Sequence, residues 1–331
     1  MYKIAAYKAQ STCNNDFFHY LIFTLQKSVS IAEYTFIMLI TKQNLSVIIV
    51  SFKSDHIIHS CISSIDKEIE IIVVDNSNDE KFKNKIEKQY KNVKCILSSK
   101  NIGMGAGNNL GIKNTDKEFT LILNPDVILD KSTIDEIIKA SNKVDSFGLM
   151  APISDKPKYP NYKLDQNKNQ KFNQVDPFKV KTIDGYSMLL NLKRLKNLNN
   201  FNFFDENIFL YLENDDFCKR LISNNENIYV VPKSKIHHLG GEAVDPKHEY
   251  EIELSRNWHW MWSKFYFNKK HYGYFFATIK VLSNLISAKI KFFYYFITFN
   301  NSKKKIYQMR LSGLLNSMIG KKSFYRPKLE D

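Results

Sequence analysis

Five short segments of this 331-residue chain carry residue types that could do chemistry. Asp75-Asn76-Ser77-Asn78-Asp79 follows an apolar run, and an acid placed there can accept hydrogen bonds from a nucleobase N–H or a ribose hydroxyl. The same residue types also form ordinary Asx turns. Residues 101–111, NIGMGAGNNLG, offer glycines that let backbone approach a ligand, before a helix start that favours phosphate. A structural glycine turn fits that segment equally. Asn124-Pro125-Asp126 presents a carboxylate able to hold Mg²⁺ or Mn²⁺, or else makes a plain strand-to-turn break. In residues 211–221, YLENDDFCKRL, the carboxylates of Glu213, Asp215 and Asp216 repel one another, which raises proton affinity and suits a general base. Asp216 with Arg220 also reads as an ordinary i,i+4 pair. Finally, in His237-His238-Leu239-Gly240-Gly241 a histidine beside flexible glycines can ligate a metal or contact a diphosphate, or simply sit at the surface.

These segments need elements to position them. Apolar, β-branched runs predict strands at 45–52, at 69–74 ending on Asp75, at 93–97, and at 119–123 ending on Asn124. Helical spacing predicts helices at 56–65, 81–90, 108–113 and 131–141. This alternation, with near-continuous apolar strands, argues for a parallel α/β sheet covered on both faces. In such sheets ligands bind at the carboxyl ends of the strands, where the polar segments lie. Residues 155–181 read as a long surface loop, ordered structure returns at 182–192, and a late strand is expected at 228–232.

Hydrophobic residues make up 44% of the chain and charged residues 25%, which excludes a disordered or fibrous protein. Lys and Arg number 48 against 34 Asp and Glu, so 48 − 34 gives a net charge of +14. Its location decides its meaning. Residues 1–255 hold 33 basic and 32 acidic side chains, whereas residues 256–331 hold 15 basic and 2 acidic. The strand-end segments are thus neutral to acidic, a poor match for a phosphate backbone, and no nucleic-acid partner is expected. Residues 272–299 are apolar and aromatic but interrupted by Lys280, Lys289 and Lys291. That pattern suits a helix lying in a membrane interface, with lysines meeting anionic lipid, better than a spanning one.

Cys13, Cys61, Cys95 and Cys218 form no C-x-x-C pair, so neither a zinc site nor a disulfide framework is suggested and a reducing compartment is expected. Near the N-terminus a short apolar run at 17–25 outlines a signal peptide only faintly, because His19 interrupts it. Residues 1–37 therefore read as a non-secretory extension, with Met38 as an alternative start.

The five segments together resemble family 2 inverting glycosyltransferases of GT-A fold, and especially their bacterial rhamnosyltransferase-like branch. The matching stretches are VIIVSFKSD, IIVVDNSNDE, NIGMGAGNNLGI, LILNPDV, FDENIFLYLENDDFCKRL and HHLGG. RNWHWMWSKFYFNKKHYG and GKKSFYRPK in the tail are similar to the same branch. The resemblance implies a Rossmann-like, mixed but mostly parallel sheet with helices on both faces, followed by an amphipathic helical tail. Together with the charge split, the expected division is an N-terminal extension over 1–43, a catalytic domain over 44–250 and a basic, aromatic, membrane-associating tail over 251–331.

For the site, the resemblance implies that Ser51 and Phe52 line the nucleoside pocket and Asp75 holds the base. Asn101 and Gly103 would approach ribose or diphosphate, with Asn109 in the same nucleotide-sugar-binding set. Asp126, matching the last acid of the family's D-x-D motif, would hold Mg²⁺ or Mn²⁺ together with His238. The motif's first acid is replaced by Asn124. The family's E-D-x-D reads Glu213-Asn214-Asp215-Asp216, so the position that usually supplies the base is an amide. Asp215 is its nearest substitute, then Glu213, and Asp216 matches the second family acid. The implied activity moves a sugar, with rhamnose as the branch's suggestion, from a nucleotide-sugar to a surface-glycan or lipid-linked acceptor. The implied location is the cytoplasmic face of the inner membrane. A sugar nucleotidyltransferase is the competing enzyme class, but it wants a glycine-rich loop after the first strand, and residues 51–55 contain no glycine. A non-enzymatic membrane- or nucleic-acid-binding protein is the third reading, and it leaves the strand-end acids unexplained.

Overall fold

Strands β1 (Leu45–Ser51), β2 (Glu70–Asp75), β3 (Val93–Leu97) and β4 (Phe119–Leu123) pair in parallel in the order β3-β2-β1-β4. Their crossovers are α1 (Ile58–Ser63), α2 (Glu80–Gln89) and α3 (Met104–Lys113). The near-continuous apolar runs follow from burial on both faces. Val47, Ile49, Ile71 and Val73 join Ile58 and Ile86 in one core, while Ile48, Val50, Ile72 and Val74 join Ile112 in the other. Alternate side chains thus feed opposite layers, as the two-residue period of a strand requires.

The chain continues through β5 (Val127–Leu129), α4 (Thr133–Ser141), β6 (Leu149–Ser154), β7 (Tyr162–Lys163), β8 (Phe178–Lys179), β9 (Thr182–Ile183) and β10 (Ser187–Asn191). After these come α5 (Leu192–Lys196), α6 (Glu213–Ser223) and β11 (Ile228–His238). β10 lies antiparallel between β4 and β6, while β11 is parallel to β6 and antiparallel to β5. The result is a mixed, mostly parallel sheet of order β3-β2-β1-β4-β10-β6-β11-β5, with β8 beside β11. It is the architecture the motifs imply. This computed structural model describes residues 40–156, 158–165, 175–199 and 201–329. The extension expected before residue 40 lies outside them, and so does part of the loop expected at 155–181, whose described portion contributes β7 and β8.

The glycine-rich segment differs from expectation. Its helix begins at Met104 rather than at residue 108, so the later glycines sit within a helix instead of a phosphate-holding loop. Their use is close packing. A Cβ at Gly107 would lie 2.8 Å from Val50 Cγ1, and one at Gly111 2.5 Å from Ile48 Cγ2, so only hydrogen lets α3 settle on β1. Gly103 caps the helix at φ 88°, and a Cβ there would meet the Phe209 carbonyl oxygen at 2.4 Å.

Three long helices follow: α7 (Glu249–Tyr272), α8 (Tyr274–Ile297) and α9 (Asn301–Met318). Gly273, at φ 86°, separates α7 from α8. Met261 and Phe265 pack with Ala277, Val281 and Leu314, and Leu254, Trp258 and Trp262 pack with Met309. The described residues from Ile40 onward cluster as one compact unit that includes these three helices. Among the described residues no helix is long and apolar enough to cross a membrane. At the α7–α9 crossing, a Cβ on Gly313 would stand 2.1 Å from the Trp258 carbonyl oxygen, which is backbone and cannot swing aside. Gly313→Ala is therefore expected to destabilise the protein by about 1–3 kcal/mol despite alanine's better helix propensity. Urea unfolding measures it, and an unchanged midpoint would mean that the two helices do not meet at this point.

Candidate functional site

At the carboxyl ends of β1, β2 and β4 lies a cavity of about 680 Å³. Among the described residues, eight buried side-chain polar atoms lack a hydrogen-bond partner. Four of them, Asn108 Oδ1, Asn124 Oδ1, Asp126 Oδ1 and Glu213 Oε2, belong to residues of this cavity wall. Orphaned polar atoms are costly in a core, and their concentration here marks a place prepared for a ligand.

Asp126 and His238 meet because β11 pairs with β5, placing His238 opposite Val127. The Leu239 N–H donates to the Asp126 backbone carbonyl at 3.1 Å. His238 Nε2 stands 3.5 Å from Asp126 Oδ2, and the Tyr186 ring stacks on the imidazole with centroids 3.9 Å apart. Asp126 is only 1% exposed. A carboxylate with an unpartnered oxygen beside an imidazole suits a divalent cation such as Mn²⁺ or Mg²⁺, and the unpartnered side-chain oxygen of Asn124 adds a hard donor on the same wall. Among the described residues no three His, Cys, Asp or Glu side chains gather in metal-holding geometry. The donor set therefore fits a cation shared with a ligand's phosphate oxygens better than a closed protein cage. His237 points the other way along the strand and pairs with Asp155 at 2.7 Å and Asp130 at 2.8 Å. The Asp155 hydrogen bond chiefly raises its pKa.

The acidic cluster divides into separate environments. Tyr211 and Leu212 adopt φ values of 69° and 68°, a left-handed pair of non-glycine residues that turns the chain into α6 at the cavity wall. Such conformations concentrate at functional sites because they must be held in place. Burial pushes the Glu213 carboxyl up to about 7. Asn214, in the family's base position, donates its amide to the Ile183 carbonyl at 2.8 Å. Asp215 lies on the wall, 3.6 Å from Lys163 Nζ. Asp216 is placed differently. Fully buried and off the cavity wall, it is held by Arg220 at 2.8 Å, Lys270 at 2.7 Å and His271 at 2.8 Å. Arg220 also donates to the carbonyls of Asn202 and Phe203. The i,i+4 pair is thus the core of a clamp tying α6 to α7.

Of the residues assigned to the nucleotide, Phe52, Asn101 and Gly103 line the cavity, while the Ser51 hydroxyl is buried and unpartnered and lies outside its wall. Asp75 spends its oxygens on the turn, accepting from the Ser77 N–H at 3.2 Å and the Asp79 N–H at 2.9 Å. Burial nonetheless raises its pKa. Its neighbour Asn76 faces the cavity and donates to the Gly103 carbonyl at 3.2 Å. Asn109 lies outside the cavity wall. Its amide donates to the Phe204 carbonyl and to Glu206, both at 2.9 Å, and Asn108 takes the cavity side.

Several wall residues gain a site role only from the tertiary structure that delivers them, although RNWHWMWSKFYFNKKHYG and GKKSFYRPK, which hold Arg256, Trp260 and Pro327, resemble the same family branch. Asp184, its pKa raised by burial, stands near Lys163, Asp215 and His238. Arg256 and Trp260 come from α7, and Pro327 comes from the chain's end. Beside Pro327, Arg326 lies 3.7 Å from the centroid of the Phe209 ring and donates to the Asn101 carbonyl at 3.1 Å.

Residues 46–198 match the family model described as glycosyl transferase family 2. The chain is 27% identical over 201 residues to the low-salt glycan biosynthesis hexosyltransferase Agl10 of Haloferax volcanii, covering 56% of this chain and 64% of that protein. A structure of GalNAc-T7 with UDP, GalNAc and Mn²⁺ is 16% identical with a TM-score of 0.47, over 60% of this chain and 43% of that one. The mannosyltransferase PcManGT of Pyrobaculum calidifontis, in complex with GDP-Man and Mn²⁺, is 9% identical with a TM-score of 0.49, over 83% and 87%. The chain thus spans just under two thirds of the curated relative. The likeness to glycosyl transferase family 2 thus covers residues 46–198, the part of the chain that holds β2 to β10 and α5.

Proposed function

We propose that the cavity binds a nucleoside diphosphate-sugar and that the protein transfers the sugar, with inversion, to a hydroxyl of a glycan or lipid-linked acceptor. The observation that carries the reading is the convergence of unpartnered Asn108, Asn124, Asp126 and Glu213 atoms on one strand-end cavity. It sits in and beside the residues that match the family 2 model.

In this reading Phe52, Asn76 and Asn101 form the nucleoside side of the cavity, where aromatic surface and amides suit a base and ribose. Asp126 and His238 would hold Mn²⁺ or Mg²⁺, which supplies charge neutralisation for the departing diphosphate. Arg256 adds a fixed positive charge at the same wall. Glu213 takes the acceptor's proton: its oxygen is free, and a carboxyl near 7 is matched to proton transfer at neutral pH. The acceptor oxygen then forms its bond to the anomeric carbon as the bond to diphosphate breaks on the opposite face. Asp215 with Lys163 orients the acceptor, and Asp216 has no part in proton transfer.

The test is a thermal-shift series with UDP, GDP and dTDP and their sugars, dTDP-rhamnose included, with and without Mn²⁺. A nucleotide at a hundred times its Kd should stabilise the native state by about 2.7 kcal/mol, and only with the metal present. No shift with any nucleotide would overturn the donor assignment. A shift indifferent to Mn²⁺ would remove the metal from it.

A further inference from the structure

Helix α8 has two apolar faces. Ala277, Val281 and Ala288 are buried, the first two among side chains of α7 and α9. On the other side Phe275, Ile279, Leu282, Ile286, Ile290, Phe293 and Ile297 are all exposed, Phe275 by 79% and Ile297 by 71%. Steps of three and four residues at about 100° per residue keep these seven on one stripe, opposite the buried face. Phe299, 87% exposed, extends the stripe into the turn before α9. An apolar surface of this length is not ordinary solvent-facing helix.

Charge identifies what covers it. Lys280 and Lys291 flank the stripe on one side and Lys289 on the other, and Lys303, Lys304 and Lys305 open α9 just beyond it. Several of these amines lie over aromatic rings: Lys280 over Phe276 at 5.3 Å, Lys303 over Tyr295 at 5.4 Å and Lys304 over Phe296 at 5.7 Å. From residue 256 onward the only acids are Glu330 and Asp331. A second copy docked stripe to stripe would bring like charges together, whereas an anionic surface complements them. We propose that α8 lies in the plane of an anionic lipid bilayer, with its Phe and Ile side chains in the headgroup–acyl boundary and its lysines on lipid phosphates. This docking stands independently of the reaction proposed above.

The experiment uses the full chain with vesicles of phosphatidylcholine alone and of equimolar phosphatidylcholine and phosphatidylglycerol. Cosedimentation is expected with the anionic vesicles and to weaken as salt is raised. Two exposed-face variants separate the contributions: Phe275→Ser/Ile286→Ser/Phe293→Ser and Lys280→Gln/Lys289→Gln/Lys291→Gln. Each should weaken binding at least about tenfold with an unchanged melting temperature. Three results would overturn the proposal: no binding to anionic vesicles, equal binding by the serine variant, or a dimer in solution that the serine variant dissociates while vesicle binding stays the same. The last would assign the stripe to a second copy.

Discussion

Replacing Asp126 with alanine is expected to abolish the Mn²⁺-dependent thermal shift by nucleotide and to lower sugar transfer at least about a hundredfold, the scale of losing one charge-stabilising group in an active site. The same substitution should leave the fold intact and raise its melting temperature. Asp126 is 1% exposed, its Oδ1 has no hydrogen-bond partner, and its Oδ2 stands 3.5 Å from the His238 imidazole. A buried carboxylate oxygen without a hydrogen-bond partner is costly to keep, and alanine removes it. Cys61 lies within its field and its thiol pKa is raised, first by burial and then by Asp126. A functional residue that costs stability is the pattern of a site kept for a ligand. Thermal unfolding with and without Mn²⁺, alongside donor turnover, separates the outcomes. A variant that transfers sugar normally would sink the metal assignment. One that loses stability together with activity would make Asp126 a structural residue.

The sheet was legible because its strands are buried on both faces. Runs such as VIIV in β1 and IIVV in β2 have no solvated side to blur them, and their polar ends announced the cavity. What failed was anything decided by a single turn of helix or by a distant segment. Asn108 and Asn109 differ only in which side of α3 they occupy, and that depended on the helix starting at Met104. β5 is three residues long and β6 contains Pro152, so neither stands out as a strand. The five-segment outline placed acids at 213, 215 and 216 together, yet separating them required knowing that Arg220, Lys270 and His271 converge on Asp216. The tail looked separable from composition alone. Its first helix, however, brings Arg256 and Trp260 to the cavity, and its last residues bring Pro327. Charge segregates along the chain at residue 255; the site does not.

Glu213→Gln carries the second large effect, and pH decides its interpretation. Burial raises the Glu213 carboxyl from 4.5 to about 7, so the folded protein binds more protons there than the unfolded chain across that window. Linkage then makes stability fall as pH rises from 4.5 towards about 7 and level off above it. Glutamine, which does not titrate, should flatten that dependence and leave the variant at least as stable at pH 8. Activity runs the opposite way. A base must be ionised, so transfer by the native protein should climb through about pH 7, and Glu213→Gln should lose that limb together with about 10²–10⁴-fold in kcat. Asp215→Asn serves as the comparison. With its carboxylate paired to Lys163 at 3.6 Å, it should alter KM for the acceptor while keeping the pH limb of the native protein. The reverse pattern, a normal pH profile in Glu213→Gln and a flat, slow one in Asp215→Asn, would move the base to Asp215. A purely structural Glu213 would change the melting curve and leave the shape of the rate profile untouched, and that result too would remove it from the reaction.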